Sequence, residues 1–309
     1  MASPELQTVL KAMAERQAAQ AADPPADLNA MRAAGDARAL PPTEAATIAA
    51  VDANGVPGEW TTVAGSNPGN RILYFHGGGY VLGSVLGRRR LCEDIAQATG
   101  CSVLNLDYRL APEHPFPAAV DDAVAALSFI QANGPDGESE AEAVFVGGDS
   151  AGGGLALSVL LAARERGVRL PDAAFGISAW TDLTQSGASI ESRKDVDPVV
   201  RDRSMLDGMA SQYLGTSAAE DPLASPLFGD LAGLPPLLLQ VGDHEMLLDD
   251  TTRVTAKARE AGGEVVEEIW QEMFHVWHAS APMLPEGQQA VERIGEFVAA
   301  QIGARVSGD

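Results

Sequence analysis

Residues 143–154 read Ala-Val-Phe-Val-Gly-Gly-Asp-Ser-Ala-Gly-Gly-Gly, and the fold of the chain can be inferred from them. Its first four residues predict a short buried strand, and the apolar residues that follow it predict a helix. Ser150 therefore lies at a strained strand-to-helix corner, where Gly148 and Gly152 remove side chains that would otherwise collide. This is the nucleophile-elbow pattern. Its turn points the Ala151 backbone N–H, at the positive end of the helix, toward an oxyanion on a carbonyl that Ser150 attacks.

A phosphate-binding loop and a purely structural turn are the alternatives for this stretch. A P-loop requires Lys and then Ser or Thr after its second glycine, whereas Gly154 and Leu155 follow Gly153 here. A dinucleotide-binding fingerprint belongs to the first strand-helix unit of its domain, and this turn lies in mid-chain. A turn that merely packs a helix closely on a sheet needs no catalytic partners, so the partners of Ser150 decide between the remaining hypotheses.

Length and composition predict one large α/β domain. The chain has 309 residues, and 46% of them are hydrophobic, which is ample for a core. Its apolar runs are shorter than a membrane span, and residues 1–5 lack the basic start and apolar stretch of a signal peptide. We therefore expect a soluble, cytoplasmic protein. Cys92 and Cys101 are the two cysteines, and they predict buried free thiols rather than a disulfide framework.

Charge and ligand spacing limit the partners. The net charge of −22 argues against nucleic acid and anionic membrane, because both would repel the chain. His275 and His278 lie three residues apart, but no acidic or cysteine ligands stand around them at zinc spacing, so we expect no metal site. The sequence does not decide the oligomeric state, and it allows a homodimer.

Strands alternate with helices from residue 71 onward. This order predicts right-handed crossovers and a mostly parallel, eight-stranded sheet with helices on both faces. The strands are expected at 46–51, 59–64, 71–75, 102–106, 143–147, 173–178, 237–241 and 264–270. The first two, joined through Asn54-Gly55 without a helix, are expected to be antiparallel.

Two regions fall outside this alternation. Residues 1–42 predict two amphipathic helices, the first ended by Pro24-Pro25 and the second at 27–34. Residues 183–226 form a long insertion between two strands, with a helix expected at 202–213, and insertions of this length are usually functional. We expect both regions to form a helical cap over the active site of a catalytic domain at 43–309. A surface excursion packed elsewhere is the alternative for the insertion.

A second glycine-rich loop follows the strand at 71–75. It reads His76-Gly77-Gly78-Gly79-Tyr80, and it leaves bare backbone N–H groups near the carboxyl edge of the sheet. The N–H groups of Gly78 and Gly79, together with that of Ala151, can form an oxyanion hole, and Gly77 shapes the loop.

Two later strands deliver an acid and a histidine to the same edge. The strand at 237–241 leads to Asp243 and Glu245, and the strand at 264–270 leads to His275. A serine, an acid and a histidine in this chain order are typical of the α/β-hydrolase triad, so His275 is the predicted general base. The remaining candidates have structural roles in this interpretation: His76 braces its loop by hydrogen bonding, and His114 and His278 are structural as well.

The chain resembles the hormone-sensitive-lipase-type esterases of the α/β-hydrolase fold, the bacterial group called family IV. The resemblance spans residues 71–278. It rests on segments 76–80, 107–117 (Asp-Tyr-Arg-Leu-Ala-Pro-Glu-His-Pro-Phe-Pro), 148–153 and 180–183. It also rests on residues 242–250, the acid loop, and on residues 272–278, the histidine loop. It implies a carboxylesterase with an N-terminal cap, an acyl-serine intermediate, short acyl chains and no cofactor. It also implies that segment 107–117 braces the oxyanion loop.

The acid departs from the commonest pattern of that family. Many members carry Asp-Pro-Leu-x-Asp, and residues 245–249 of this chain read Glu-Met-Leu-Leu-Asp. Glu245 lies 30 residues before His275, the separation that the family's spacing leads us to expect, so Glu245 is the preferred acid. Asp243 is the alternative acid. If Glu245 is the acid, Asp243 is predicted to order the loop by accepting backbone N–H groups.

These patterns predict a serine carboxylesterase acting on a small-molecule ester. Ser150 attacks the ester, His275 transfers the protons and Glu245 orients His275. An amidase or deacetylase of the same fold is an alternative, since acyl transfer does not fix the leaving group. A non-catalytic small-molecule-binding member, such as the plant gibberellin receptors that resemble this family, would be expected to lack the histidine.

Overall fold

An eight-stranded sheet forms the centre of the fold in a computed structural model, which describes residues 3–307. Its strands are β1 (Thr47–Asp52), β2 (Pro57–Thr62), β3 (Asn67–Phe75), β4 (Cys101–Leu106), β7 (Ala143–Asp149), β8 (Ala173–Ile177), β9 (Leu237–Gly242) and β10 (Val265–Trp270). A separate antiparallel pair, β5 (Asn133–Gly134) and β6 (Gly137–Glu138), was not among the predicted strands. The predicted eight-stranded sheet is confirmed.

The strand order in the sheet is β1-β2-β4-β3-β7-β8-β9-β10. β2 is antiparallel to both β1 and β4, and every other pair of neighbours is parallel. The predicted antiparallel start and parallel remainder are therefore confirmed. The parallel strands read as nearly continuous apolar runs because helices cover both of their faces.

The helices are α1 (Pro4–Ala22), α2 (Leu28–Asp36), α3 (Arg89–Thr99), α4 (Ala118–Ala132), α5 (Ala151–Arg166), α6 (Ser189–Ser192), α7 (Arg203–Leu214), α8 (Leu248–Glu260) and α9 (Pro285–Ser307). Successive side chains of β3 point to opposite faces of the sheet. Ile72 and Tyr74 pack in one apolar cluster with α3 and α9, whereas Leu73 and Phe75 pack in the other with α4 and α5. The sheet thus carries a core on each face.

Two strands are at least two residues longer than predicted. β3 begins at Asn67 rather than residue 71, with a register shift between Asn67 and Arg71 where it pairs with β4. β7 continues through Asp149, a carboxylate that is fully buried. The Tyr74 hydroxyl and the Arg88 guanidinium satisfy Asp149, so the strand continues through this buried carboxylate.

The two N-terminal helices contact different parts of the chain: α1 lies against the segment that follows β10, and Arg32 of α2 bonds Val81 and Ala111, after β3 and β4. Leu6 and Val9 of α1 are buried in an apolar cluster with Phe274 and Trp277. Asp27 caps α2 by accepting the Ala30 N–H, as its position before a helix favours. The predicted helices at both regions are confirmed, including α7 within the 183–226 insertion.

The structure can be compared with two inferences from composition, on the cysteines and on membrane-spanning segments. Cys92 and Cys101 are buried free thiols, as predicted. Within residues 3–307, the helices are all too short or too polar to cross a membrane.

Candidate active site

Ser150 occupies the corner between β7 and α5, half-buried, with φ 55° and ψ −122°. This is a conformation that residues with a side chain rarely adopt, so the surrounding contacts must hold it. The Ser150 N–H donates to the Ile177 carbonyl at 2.8 Å, which ties the corner to β8. A Cβ on Gly152 would lie 2.0 Å from the Phe75 carbonyl oxygen, so only glycine permits this close approach. The predicted strained turn is present.

Ser150, His275 and Glu245 form one line of hydrogen bonds. The Ser150 Oγ lies 2.9 Å from His275 Nε2, and His275 Nδ1 lies 2.8 Å from a carboxylate oxygen of Glu245. A carboxylate can only accept, so Nδ1 carries the proton toward Glu245 and Nε2 is left to accept the Ser150 hydroxyl proton. The acid and the histidine come from the turns after β9 and β10, as the chain order predicts.

Glu245 is fully buried, and its other oxygen is held by two further donors. The Gly242 N–H donates to Oε1 at 2.6 Å and the Ser178 hydroxyl donates to it at 2.8 Å. The Ser178 Oγ in turn accepts the Val276 N–H at 3.0 Å, so it joins the acid loop to the histidine loop. Sequence reasoning missed Ser178. The available signal was its position directly after β8, at the carboxyl edge of parallel strands.

Asp243, the alternative acid, lies elsewhere. Its Oδ1 accepts the Glu272 N–H at 2.6 Å, which fastens the acid loop to the turn before His275. Among the described residues, it makes no hydrogen bond to His275. The structure therefore places Glu245, and not Asp243, beside the histidine, and it gives Asp243 the backbone-ordering contact predicted for it.

The glycine loop after β3 lies beside Ser150. Gly78 and Gly79 have φ of 129° and 64°, values that favour glycine. Within residues 3–307, the N–H groups of Gly78, Gly79 and Ala151 donate to no protein acceptor. A Cβ on Gly77 would lie 3.0 Å from the Ser150 Cβ, so this loop and the elbow are in direct contact. Gly78 and Gly79 line the same cavity as Ser150, and Ala151 directly follows the serine, so these three N–H groups are the candidates for binding an oxyanion.

Segment 107–117 supports this loop from behind. The Tyr108 hydroxyl donates to the His76 carbonyl at 2.7 Å, and the two rings stack at 4.4 Å. His76 is fully buried, with Nδ1 2.8 Å from the Gly77 carbonyl oxygen. Arg109 is anchored by Asp122 at 2.6 Å. These contacts agree with the bracing role implied for the segment and for His76.

An ion pair between the buried Asp149 and the partly buried Arg88 lies under the elbow. Asp149 accepts from the Arg88 guanidinium at 2.6 and 2.8 Å and from the Tyr74 hydroxyl at 2.9 Å. Burial raises the pKa of Asp149, but Arg88 and Tyr74 outweigh burial and lower it, so the carboxylate is ionised. A Cβ on Gly77 would lie 2.3 Å from Asp149 Oδ2, which puts this pair directly below the oxyanion loop. Sequence reasoning missed Arg88, for which no local motif exists.

Burial and pairing set the protonation of the histidines. Burial lowers the pKa of His275, but the hydrogen bond and charge of Glu245 outweigh it and raise the pKa above its ordinary value of 6.5. Burial also raises the pKa of Glu245, although His275 opposes this. By contrast, burial lowers the pKa of His278 to about 3, and its Nε2 lies 2.8 Å from the Gln240 Oε1. His278 is thus a neutral structural residue, as predicted.

A cavity of about 860 Å³ opens onto Ser150 and His275. Its apolar wall comes from α1, from the insertion and from the turn after His275: Val9, Ala12, Met13, Val199, Val200, Met205, Leu206, Met209, Val276 and Met283. Both regions predicted to cover the site therefore border this cavity. Among the described residues, no group of three or more His, Cys, Asp or Glu side chains could hold a metal ion.

Comparisons with known proteins give a consistent grouping. A family model described as the alpha/beta hydrolase fold matches residues 72–279. An acetyl-hydrolase of Streptomyces hygroscopicus is 45% identical over 265 residues, which cover 85% of each chain. A solved esterase from the bacterial hormone-sensitive lipase family is 43% identical, with a TM-score of 0.90 over 98% of this chain and 99% of that one.

A further solved esterase, EstE5, is 42% identical, with a TM-score of 0.89 over 98% of this chain and 100% of that one. EstE5 crystals were soaked with p-nitrophenyl butyrate, and an EstE5-PMSF structure is also known. The family model covers more than half of the chain, and these relatives share both its fold and much of its sequence. The chain therefore belongs to the α/β-hydrolase family, among the bacterial esterases of the hormone-sensitive lipase type.

Proposed function

We propose that the protein is a serine carboxylesterase that hydrolyses short-chain acyl esters through an acyl-serine intermediate. The observation that carries this proposal is the hydrogen-bonded line from Ser150 through His275 to the buried Glu245. A serine within reach of a base that is oriented by a third group is the arrangement that activates a nucleophile. The acetyl-hydrolase and esterase names of the relatives support the same chemistry.

Acylation begins at the ester carbonyl. Ser150 Oγ attacks the carbonyl carbon while His275 Nε2 accepts the hydroxyl proton, and the carbonyl electron pair moves onto its oxygen. The free N–H groups of Gly78, Gly79 and Ala151 stabilise that oxyanion. The bond to the alcohol oxygen then breaks, and the alcohol leaves with the proton from His275. The acyl group remains on Ser150.

Deacylation repeats these steps with water. His275 accepts a proton from the water molecule that attacks the acyl carbon, and it returns this proton to Ser150 Oγ as the carboxylic acid leaves. Glu245 keeps His275 in the required tautomer throughout and stabilises the imidazolium that forms twice in each turnover. The buried position of both side chains strengthens this interaction, because little water screens it.

The N-terminal helices and the 183–226 insertion act as a cap in this proposal. α7 brings Met209 against the oxyanion loop, since a Cβ on Gly79 would lie 2.2 Å from Met209 Sδ. We propose that the thioether, which lines the cavity, limits its acyl side and that the rest of the cavity receives the alcohol portion.

We predict a preference for acyl chains of about eight carbons or fewer, because Met209 limits the acyl side of the cavity. The test is kcat/KM on p-nitrophenyl esters of graded acyl length. Met209→Ala should shift the optimum to longer chains, and Met31→Ala, which removes a half-exposed methionine of α2 that lies outside the cavity wall, should not. Best turnover by the wild type on long-chain triglyceride emulsions would refute the proposed acyl limit.

The rate should depend on pH through His275. Only neutral His275 can accept the serine proton, and its pKa lies above 6.5 in the folded protein. Activity is therefore fully present above that raised pKa and is lost as the pH falls through it, so the acid limb of kcat/KM should have its midpoint above 6.5. Circular dichroism on the same samples provides the control. A limb that coincides with global unfolding contradicts this explanation.

Hydrolysis of an acetyl amide is the second candidate, favoured by the name of the Streptomyces relative, which specifies the acyl group and not the leaving group. Comparison of p-nitrophenyl acetate with p-nitroacetanilide distinguishes the two. A binding-only role has less support, because His275 is present and bonds to Ser150. The cytoplasmic location stays a prediction from the sequence, which allows a homodimer but does not decide the oligomeric state.

A further inference from the structure

A buried carboxylate of the insertion contacts the acid loop. Asp197 is only 4% exposed, and its Oδ2 accepts the Met246 N–H at 2.9 Å. Its Oδ1 accepts the N–H groups of Val199 and Val200 at 2.9 and 3.0 Å. Met246 directly follows Glu245. One side chain therefore fixes the backbone next to the Glu245 carboxylate and also shapes a turn of the insertion.

The same turn reaches the cavity and α1. Val199 and Val200 line the cavity together with Ser150. The carbonyl of Pro198, between them and Asp197, accepts a hydrogen bond from the Gln17 side chain of α1. Three parts of the molecule thus meet at the turn 197–200: the acid loop, the cavity wall and the first N-terminal helix.

We propose that Asp197 is a positioning residue of the triad, which holds the Glu245 carboxylate at His275 by fixing the loop that carries it. This inference rests on the proposed function for the roles of Ser150, Glu245 and His275. Misplacement of a catalytic group by about 1 Å can cost on the order of 10²-fold in rate, so an anchor next to the acid affects the chemistry without touching the substrate.

The charge of Asp197 acts on the pKa of His275, an effect that a side chain with only a packing role would not have. Within residues 3–307, no Lys, Arg or His side chain forms an ion pair with Asp197. The charged groups that act on His275 are Glu245, Asp197 and Asp149, and Arg88 already pairs with Asp149. Burial lowers the pKa of His275, and all three carboxylates raise it. Asp197 therefore favours the imidazolium that forms during attack, although it also opposes ionisation of Glu245.

The decisive measurement is the pKa of His275, followed by NMR of the imidazole nitrogens in the full-length protein. The chain has five histidines, and the spectrum of His275→Gln identifies the signal of His275. Asp197→Asn removes the charge and leaves one accepting oxygen in place of two, so its NH₂ group must face either the Met246 N–H or the N–H groups of Val199 and Val200. The pKa of His275 should therefore fall by roughly half a unit or more. Asp195→Asn removes an equal charge from an exposed site on the same segment and should leave the pKa unchanged.

A second measurement follows the reactivity of Ser150 toward phenylmethylsulfonyl fluoride. We expect inactivation to slow about 10-fold in Asp197→Asn, which keeps one accepting oxygen, and about 100-fold in Asp197→Ala, which loses all three backbone contacts of the side chain. Equal pKa values of His275 in the wild type and in Asp197→Asn overturn the proposal, whatever the change in Tm. If Asp197→Ala fails to fold, Asp197→Asn decides alone. A wild type that reacts with the sulfonyl fluoride but hydrolyses no ester refutes the proposed function only, because the NMR titration needs no turnover.

Discussion

Replacing Ser150 with alanine should abolish ester hydrolysis and leave a folded protein. The Ser150 hydroxyl is the group placed 2.9 Å from His275 Nε2, and alanine offers nothing that can attack a carbonyl. The corner itself should survive, because its backbone bonds to Ile177, Gly154 and Trp180 do not use the hydroxyl. A serine-directed phosphonate should add once to the wild type, by mass spectrometry, and not at all to Ser150→Ala.

Ser158→Ala is the matched control for this experiment. Ser158 lies in α5, a little more than two turns after the elbow, and its buried hydroxyl has no partner among the described residues. Loss of an unpaired buried hydroxyl should leave stability nearly unchanged, and the control should be labelled as fast as the wild type. A Ser150→Ala protein that retains turnover and is labelled at another serine would show that the nucleophile lies elsewhere.

The parts that could be predicted from the sequence are those whose causes are local. The elbow needs small residues around Ser150, because a Cβ on Gly152 would lie 2.0 Å from the Phe75 carbonyl oxygen. These small residues are consecutive in the sequence, so the pattern can be recognised locally. The parallel strands could be predicted because both of their faces are covered, which leaves continuous apolar runs. The chain order of Ser150, Glu245 and His275 then placed three functional groups at one edge of the sheet.

The parts that could not be predicted depend on residues far apart in the chain. Arg88 bonds Asp149 across 61 positions, Asp197 bonds Met246 across 49, and Ser178 bonds Glu245 across 67. No local sequence pattern predicts such a hydrogen bond, because it forms only when the fold brings the two segments together. Short elements were missed for a different reason: α6 and the β5-β6 pair are too short for a period to be recognised.

Glu245→Gln should cut turnover by about 10³ to 10⁴-fold while the protein stays folded, as loss of a triad acid does elsewhere. The geometry gives the reason. Oε1 of Glu245 accepts the Gly242 N–H, and a backbone N–H can only donate. The single oxygen of glutamine must therefore point toward Gly242. The glutamine NH₂ group then faces His275 Nδ1 and forces it to accept. The ring proton moves to Nε2, and this tautomer cannot take the proton of Ser150.

Asp243→Asn is the comparison that separates the two acids. Asp243 accepts the Glu272 N–H through one oxygen, and asparagine keeps an oxygen that can do the same, so this variant should lose less than about 10-fold in turnover. Both variants are measured on one short ester alongside Tm. Glu245→Asp adds a third point, since it restores the charge on a side chain one methylene shorter and should recover part of the activity lost in Glu245→Gln. If Asp243→Asn is instead the well-folded, nearly inactive variant and Glu245→Gln is active, the two acids exchange roles, and the short distance between Glu245 and His275 has no catalytic meaning.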